Sequence, residues 1–158
     1  MASNEIYLGN PNLKRANTQH EYTEEQIIEF MKCKQDPVYF ARNYIQIVSL
    51  DYGLVKFDMY DFQEKLIERF HEHRFNICKM PRQTGKSTTC VSYLLHYAVF
   101  NDNVNIAILA NKASTARDLL GRLQLAYENL PSWMQQGIIS WNKGSLELEN
   151  GSKISSNS

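Results

Sequence analysis

The residues with the most evident chemistry are Pro81, Arg82, Gln83, Thr84, Gly85, Lys86 and Ser87, consecutive in the chain. Between a strand and a helix, such a run offers backbone N–H groups and a helix N-terminus to an anion. Gly85 lets the backbone pass close to phosphate oxygens, Lys86 places a cation on β- and γ-phosphates, and the Ser87 hydroxyl can ligate Mg²⁺. The chemistry implied is nucleoside triphosphate binding. The strict pattern G-x-x-x-x-G-K-[ST] asks for a glycine where Met80 stands, so the loop is less permissive than the pattern.

Other residues add to this centre or compete with it. Arg82 lies inside the loop, where it reads either as an arginine finger for a γ-phosphate or as one half of a surface ion pair. Gln63 follows Phe62; an amide can accept from and donate to an adenine edge while an aromatic ring packs on the base. A glutamine on a helix is ordinarily solvated and a phenylalanine ordinarily core. The position of the pair upstream of Lys86, however, is the one used by adenine-selecting glutamine motifs in helicase-like ATPases. His71 and His73 flank Glu72, but two residues of separation on a helix turn the rings to different faces, so they read as surface histidines rather than metal ligands. Lys112, Ser114 and Thr115 suit helix capping better than a phosphate or DNA contact.

These residues need elements to hold them. Residues 75–80 (FNICKM) read as an apolar strand, the loop follows, and 87–100 read as a helix with Val91, Leu94, Leu95, Ala98 and Val99 on one stripe. Residues 104–110 (VNIAILA) read as a strand covered on both faces of a parallel sheet, which completes a right-handed βαβ unit. Upstream, Thr23 and Gln26 form a capping box for a helix whose Ile27, Ile28 and Met31 share a face, and a second helix spans 38–44. A small hairpin follows over 45–49 and 54–57. Asp61 then caps a helix with Phe62, Leu66, Ile67 and Phe70 on its buried stripe. Downstream, Asn111 is the expected cap of a helix facing Ala116, Leu119, Leu120 and Leu123 inward and closed by Pro131. Two short strands then flank a two-residue turn at Asn150-Gly151. The expected class is α/β: a P-loop NTPase-type parallel sheet flanked by helices, incomplete, with a mostly helical N-terminal segment.

The 158 residues suit one domain, and 17 basic residues balance 17 acidic ones, so no global positive field would hold a polyanion. Residues 1–20 are polar and without periodicity and read as a mobile arm; 21–158 read as the N-terminal part of a P-loop ATPase domain. The start does not resemble a signal peptide, and no apolar run nears the roughly 18 residues of a membrane span. Cys33, Cys78 and Cys90 lack zinc or redox-pair spacing and are expected as free, mostly buried thiols.

Taken in order, DPVYFARNYIQI, MYDFQ, PRQTGKST and ILANKAST make the chain resemble the large terminase subunit of contractile-tailed bacteriophages, from about Asp36 to Ser156. That family is an ATP-driven motor that pumps DNA into proheads. The resemblance implies ATP and Mg²⁺ as cofactors, with Phe62 and Gln63 on the adenine and with Gln83, Thr84, Gly85, Lys86, Ser87 and Thr88 around the phosphates. It makes Arg82 and Lys86 catalytic and Ser87 the metal ligand. It also implies viral double-stranded DNA, a portal protein and a small terminase subunit as partners, a homo-oligomeric ring on the portal, and the cytoplasm of an infected bacterium as the location. The aspartate-bearing strand, the catalytic glutamate and the nuclease domain of the family have no counterpart in these residues, so the chain is expected to be truncated. A helicase-like nucleic-acid-stimulated ATPase and a non-catalytic nucleotide-binding or assembly module are the competing readings.

Overall fold

The computed structural model describes residues 5–49 and 51–157. Five helices and eight strands follow in chain order: β1 (Ile6–Tyr7), β2 (Asn10–Lys14), α1 (Glu24–Gln35), α2 (Pro37–Tyr44), β3 (Gln46–Ser49), β4 (Gly53–Lys56), α3 (Asp61–Glu72), α4 (Lys86–Phe100), β5 (Asn105–Leu109), α5 (Ala113–Glu128), β6 (Ile138–Trp141), β7 (Ser145–Leu148) and β8 (Lys153–Asn157) among the described residues. The class is mixed α/β.

α4 is the central pillar. Its Val91, Leu95, Ala98, Val99 and Phe100 are buried, and it packs against α2, α3 and α5. The stripe repeats at helical spacing, so one straight helix can meet three neighbours, with Phe40 of α2 edge-on to both Phe100 and His96. α1 starts at the expected capping box, Thr23 with Gln26, and Asp36 starts α2 by accepting from Val38 N and Tyr39 N, both at 2.9 Å. The shared face of α1 is nevertheless open to solvent, with Ile27, Ile28 and Met31 all exposed.

The sheet departs from expectation. Its order is β5-β8-β7-β6, and only β5 and β8 are parallel; the remaining pairs are antiparallel. This is a four-stranded mixed sheet, with separate two-stranded β1–β2 and β3–β4 hairpins, rather than a clear parallel sheet. Residues 75–80 form no strand, and Phe75 and Ile77 stand 84% and 101% exposed. Apolar alternation gives a segment strand propensity, but a strand forms only when a neighbour pairs with it, and residues 75–80 pair with no described strand although β5 keeps one edge open. β5 is an edge strand covered by α5 on one face only; Leu109 is exposed, where a strand buried on both faces was expected.

Further corrections are local. The stretch read as a mobile arm, whose residues 1–4 lie outside those described, carries the β1–β2 hairpin and seats Leu13, 2% exposed, in the core. Gln135 holds it there, accepting from Lys14 N at 3.0 Å and donating to Asn12 O at 2.9 Å. Lys112, not Asn111, is the N-cap residue of α5, and it makes no side-chain cap bond. The β7–β8 turn is wider than two residues because Asn150 turns inward. Its Nδ2 donates to Ala98 O at 2.9 Å and Asn101 O at 3.1 Å, closing the C-terminal end of α4. Of the thiols only Cys33 is buried; Cys78 is exposed and Cys90 half-buried.

Candidate functional site

The site is built where the first turn of α3 meets the N-terminus of α4. The N-cap residue of α3 is Tyr60, not Asp61, and it has no capping side chain. Gln63 turns its Oε1 back to accept from Tyr60 N at 2.9 Å, which satisfies the N–H of the cap residue itself. Its Nε2 points across the gap and donates to Thr84 O at 3.0 Å. The side chain is 4% exposed, and Ile67, one turn on, is fully buried, so this face of α3 is turned inward.

The loop itself carries two left-handed residues, Gln83 at φ 61° and Gly85 at φ 72°. Gly85 is the N-cap of α4, and a Cβ there would stand 2.5 Å from Gln63 Nε2. The positive φ therefore favours glycine, and a Cβ would in addition force the Gln63 amide to move. Thr84 Oγ1 donates to Pro81 O at 3.0 Å, and Lys86 Nζ donates to Met80 O at 3.0 Å and Pro81 O at 3.3 Å. Thr89, fully buried, donates its N–H and its hydroxyl to Gly85 O at 2.9 and 3.1 Å, which starts the helix. The N–H groups of Gly85, Lys86, Ser87 and Thr88 have no partner among the described residues. These are the orphan donors of a helix N-terminus, with a lysine ammonium beside them held only by neutral carbonyls.

Gln63, Thr84, Gly85 and Lys86 thus form one bonded unit, and Ser87 and Thr88 continue it on the first turn of α4. Arg82 and Gln83 are exposed in the loop, and Arg82 joins no ion pair among the described residues. Phe62 is 44% exposed and lies in parallel offset contact with Tyr60, centroids 5.7 Å apart and planes at 8°. It is therefore not core, contrary to its place in the expected buried stripe. A cleft of about 260 Å³ opens beside Thr88, lined among others by Gln46, Val48, Val91 and Arg122. The Cys90 thiol, one turn into α4, is pushed up mainly by burial and further by Cys78, with the Lys86 charge opposing.

His71 and His73 are exposed, and no cluster of three or more His, Cys, Asp or Glu suited to a metal occurs among the described residues. Sequence reasoning missed the bond from Gln63 to the loop, for which no local signal exists. No helix among the described residues is long and apolar enough to cross a membrane. No known family model matches the chain.

Proposed function

We propose that the chain binds ATP with Mg²⁺ through Gln83, Thr84, Gly85, Lys86, Ser87 and Thr88. The observation that carries this reading is the set of four N–H groups, from Gly85 to Thr88, that are unpartnered among the described residues at the helix N-terminus that Lys86 begins. Bound phosphate exchanges the neutral carbonyl contacts of Lys86 Nζ for charge-assisted ones, which are roughly twice as strong. Mg²⁺ keeps most of its waters and needs few protein ligands, so the Ser87 hydroxyl with phosphate oxygens is a sufficient donor set. Arg82, exposed and in no ion pair among the described residues, is available to a γ-phosphate as an arginine finger. Phe62, 44% exposed, lies open to a base face.

The wider reading is the ATP-binding part of a viral large terminase subunit, an ATP-driven translocase of double-stranded DNA. Its support is the order of MYDFQ, PRQTGKST and ILANKAST, together with the loop-to-helix junction that holds Lys86. On this reading the segment before the loop, α4 and β5 belong to a P-loop-type core. The partners are then a portal protein, a small terminase subunit and further copies in a ring, in the cytoplasm of an infected bacterium. Calorimetric titration with Mg-ATP tests the binding claim: the wild-type chain binds, and Lys86→Ala, with folding verified by circular dichroism, loses at least an order of magnitude in affinity. A folded wild-type chain that takes up no ATP contradicts it.

A further inference from the structure

The resemblance places Gln63 on an adenine edge, yet its amide is already engaged. One oxygen lone pair holds Tyr60 N, one N–H holds Thr84 O, and the group is 4% exposed. A lone pair and an N–H remain, but the group is almost wholly covered, so reaching a base edge with them would require it to turn out of the interior and strain the two bonds it makes.

What the amide does hold is the peptide plane between Thr84 and Gly85. In a trans peptide the carbonyl and the N–H point in opposite directions, and the described chain has no cis bond. With the Thr84 carbonyl drawn toward α3 by Gln63, the Gly85 N–H must point away from α3. It is the first of the four unpartnered donors. Gly85 and Gln63 are also mutually fitted, since any Cβ on Gly85 would meet Nε2 at 2.5 Å.

We propose that Gln63 is a positioning residue of the phosphate loop: by holding the Thr84 carbonyl it aims the Gly85 N–H at the anion, whatever base the nucleotide carries. The inference rests on the phosphate-site reading above and assigns Gln63 to the polyphosphate rather than to adenine.

A base-free ligand separates the two roles. Inorganic tripolyphosphate, ATP and GTP, each with Mg²⁺, are titrated into the wild type, Gln63→Met and Gln63→Ala. The temperature is kept low enough for circular dichroism to find every variant folded. Methionine keeps the buried volume and removes both bonds, so any loss in this variant follows from the hydrogen bonds and not from a cavity. The expected result is a similar loss, on the order of 10-fold, for all three ligands in both variants. Unchanged tripolyphosphate affinity with a collapsed preference between ATP and GTP overturns the proposal in favour of a base contact. Unchanged affinity for all three also overturns it, leaving Gln63 as a cap of α3 alone. If the wild type binds neither tripolyphosphate nor nucleotide, the phosphate-site reading itself fails and this inference falls with it.

Discussion

Replacing Gly85 with alanine tests the junction between α3 and the loop without any ligand. Two costs are expected. An alanine at φ 72° occupies the left-handed region, at roughly 1–2 kcal/mol. Its Cβ would also stand 2.5 Å from Gln63 Nε2, so the amide must move. The amide end of a glutamine is flexible, but this one is 4% exposed and bonded to Thr84 O, so moving it strands buried polar groups at about 1–3 kcal/mol. Together the substitution costs on the order of 2–5 kcal/mol, a large share of the roughly 5–15 kcal/mol that stabilises a domain. With a urea slope of about 1–3 kcal/mol/M the midpoint falls by on the order of 1–2 M. The decisive control is the same substitution in a Gln63→Ala background, where no amide is left to displace and only the backbone cost remains. The double-mutant cycle should therefore give a coupling of about 1–3 kcal/mol. Equal costs in the two backgrounds, within about 0.5 kcal/mol, would refute the reasoning.

Three other perturbations probe the rest of the fold. Leu13→Ala should cost about 2–4 kcal/mol and open residues 5–17 to limited proteolysis, because Leu13 is 2% exposed in the core; an unchanged digestion pattern would return the segment to a loose arm. Asn150→Ala removes the donors that close α4 at Ala98 O and Asn101 O, and a loss of about 1–3 kcal/mol in urea unfolding is expected, against none if the turn acts only as a turn. His96 is 2% exposed, donates from Nε2 to Cys33 O at 2.8 Å, and burial lowers its pKa from 6.5 to about 4. With the folded value depressed, the unfolded chain takes up the proton first. Stability is therefore whole above pH 6.5 and lost as pH falls toward 4, by roughly 3 kcal/mol. His96→Gln, which keeps a donor without titrating, should flatten that part of the stability–pH curve, and a curve of unchanged slope would contradict the assignment.

Much of the helical frame was legible because it is written locally. Thr23 with Gln26 and the Val91 to Val99 stripe each act within a few residues, and α1 and α4 formed where these signals placed them. What was not legible depends on partners far along the chain. β2 has no periodicity of its own and is held by Gln135, while Asn150 leaves its turn to reach the end of α4. Residues 75–80 have a strand's composition, but strand pairing is a tertiary event, and no described strand pairs with them even though β5 has an open edge. At the site, residue types identified the loop, Gly85 and Lys86. The orientation of Gln63 toward Thr84 rather than outward could come only from the packing of α3 against the loop.

The central claim is that the N-terminus of α4 holds a nucleotide's phosphates through its own backbone. The most direct test follows the amide resonances of the ¹⁵N-labelled chain as Mg-ATP is added. The account predicts that the signals of Gly85, Lys86, Ser87 and Thr88 move together, saturably, and with downfield proton shifts of new hydrogen bonds, and that Lys86→Ala weakens the response. Saturable ATP binding that leaves these four amides in place while shifting residues elsewhere would contradict it.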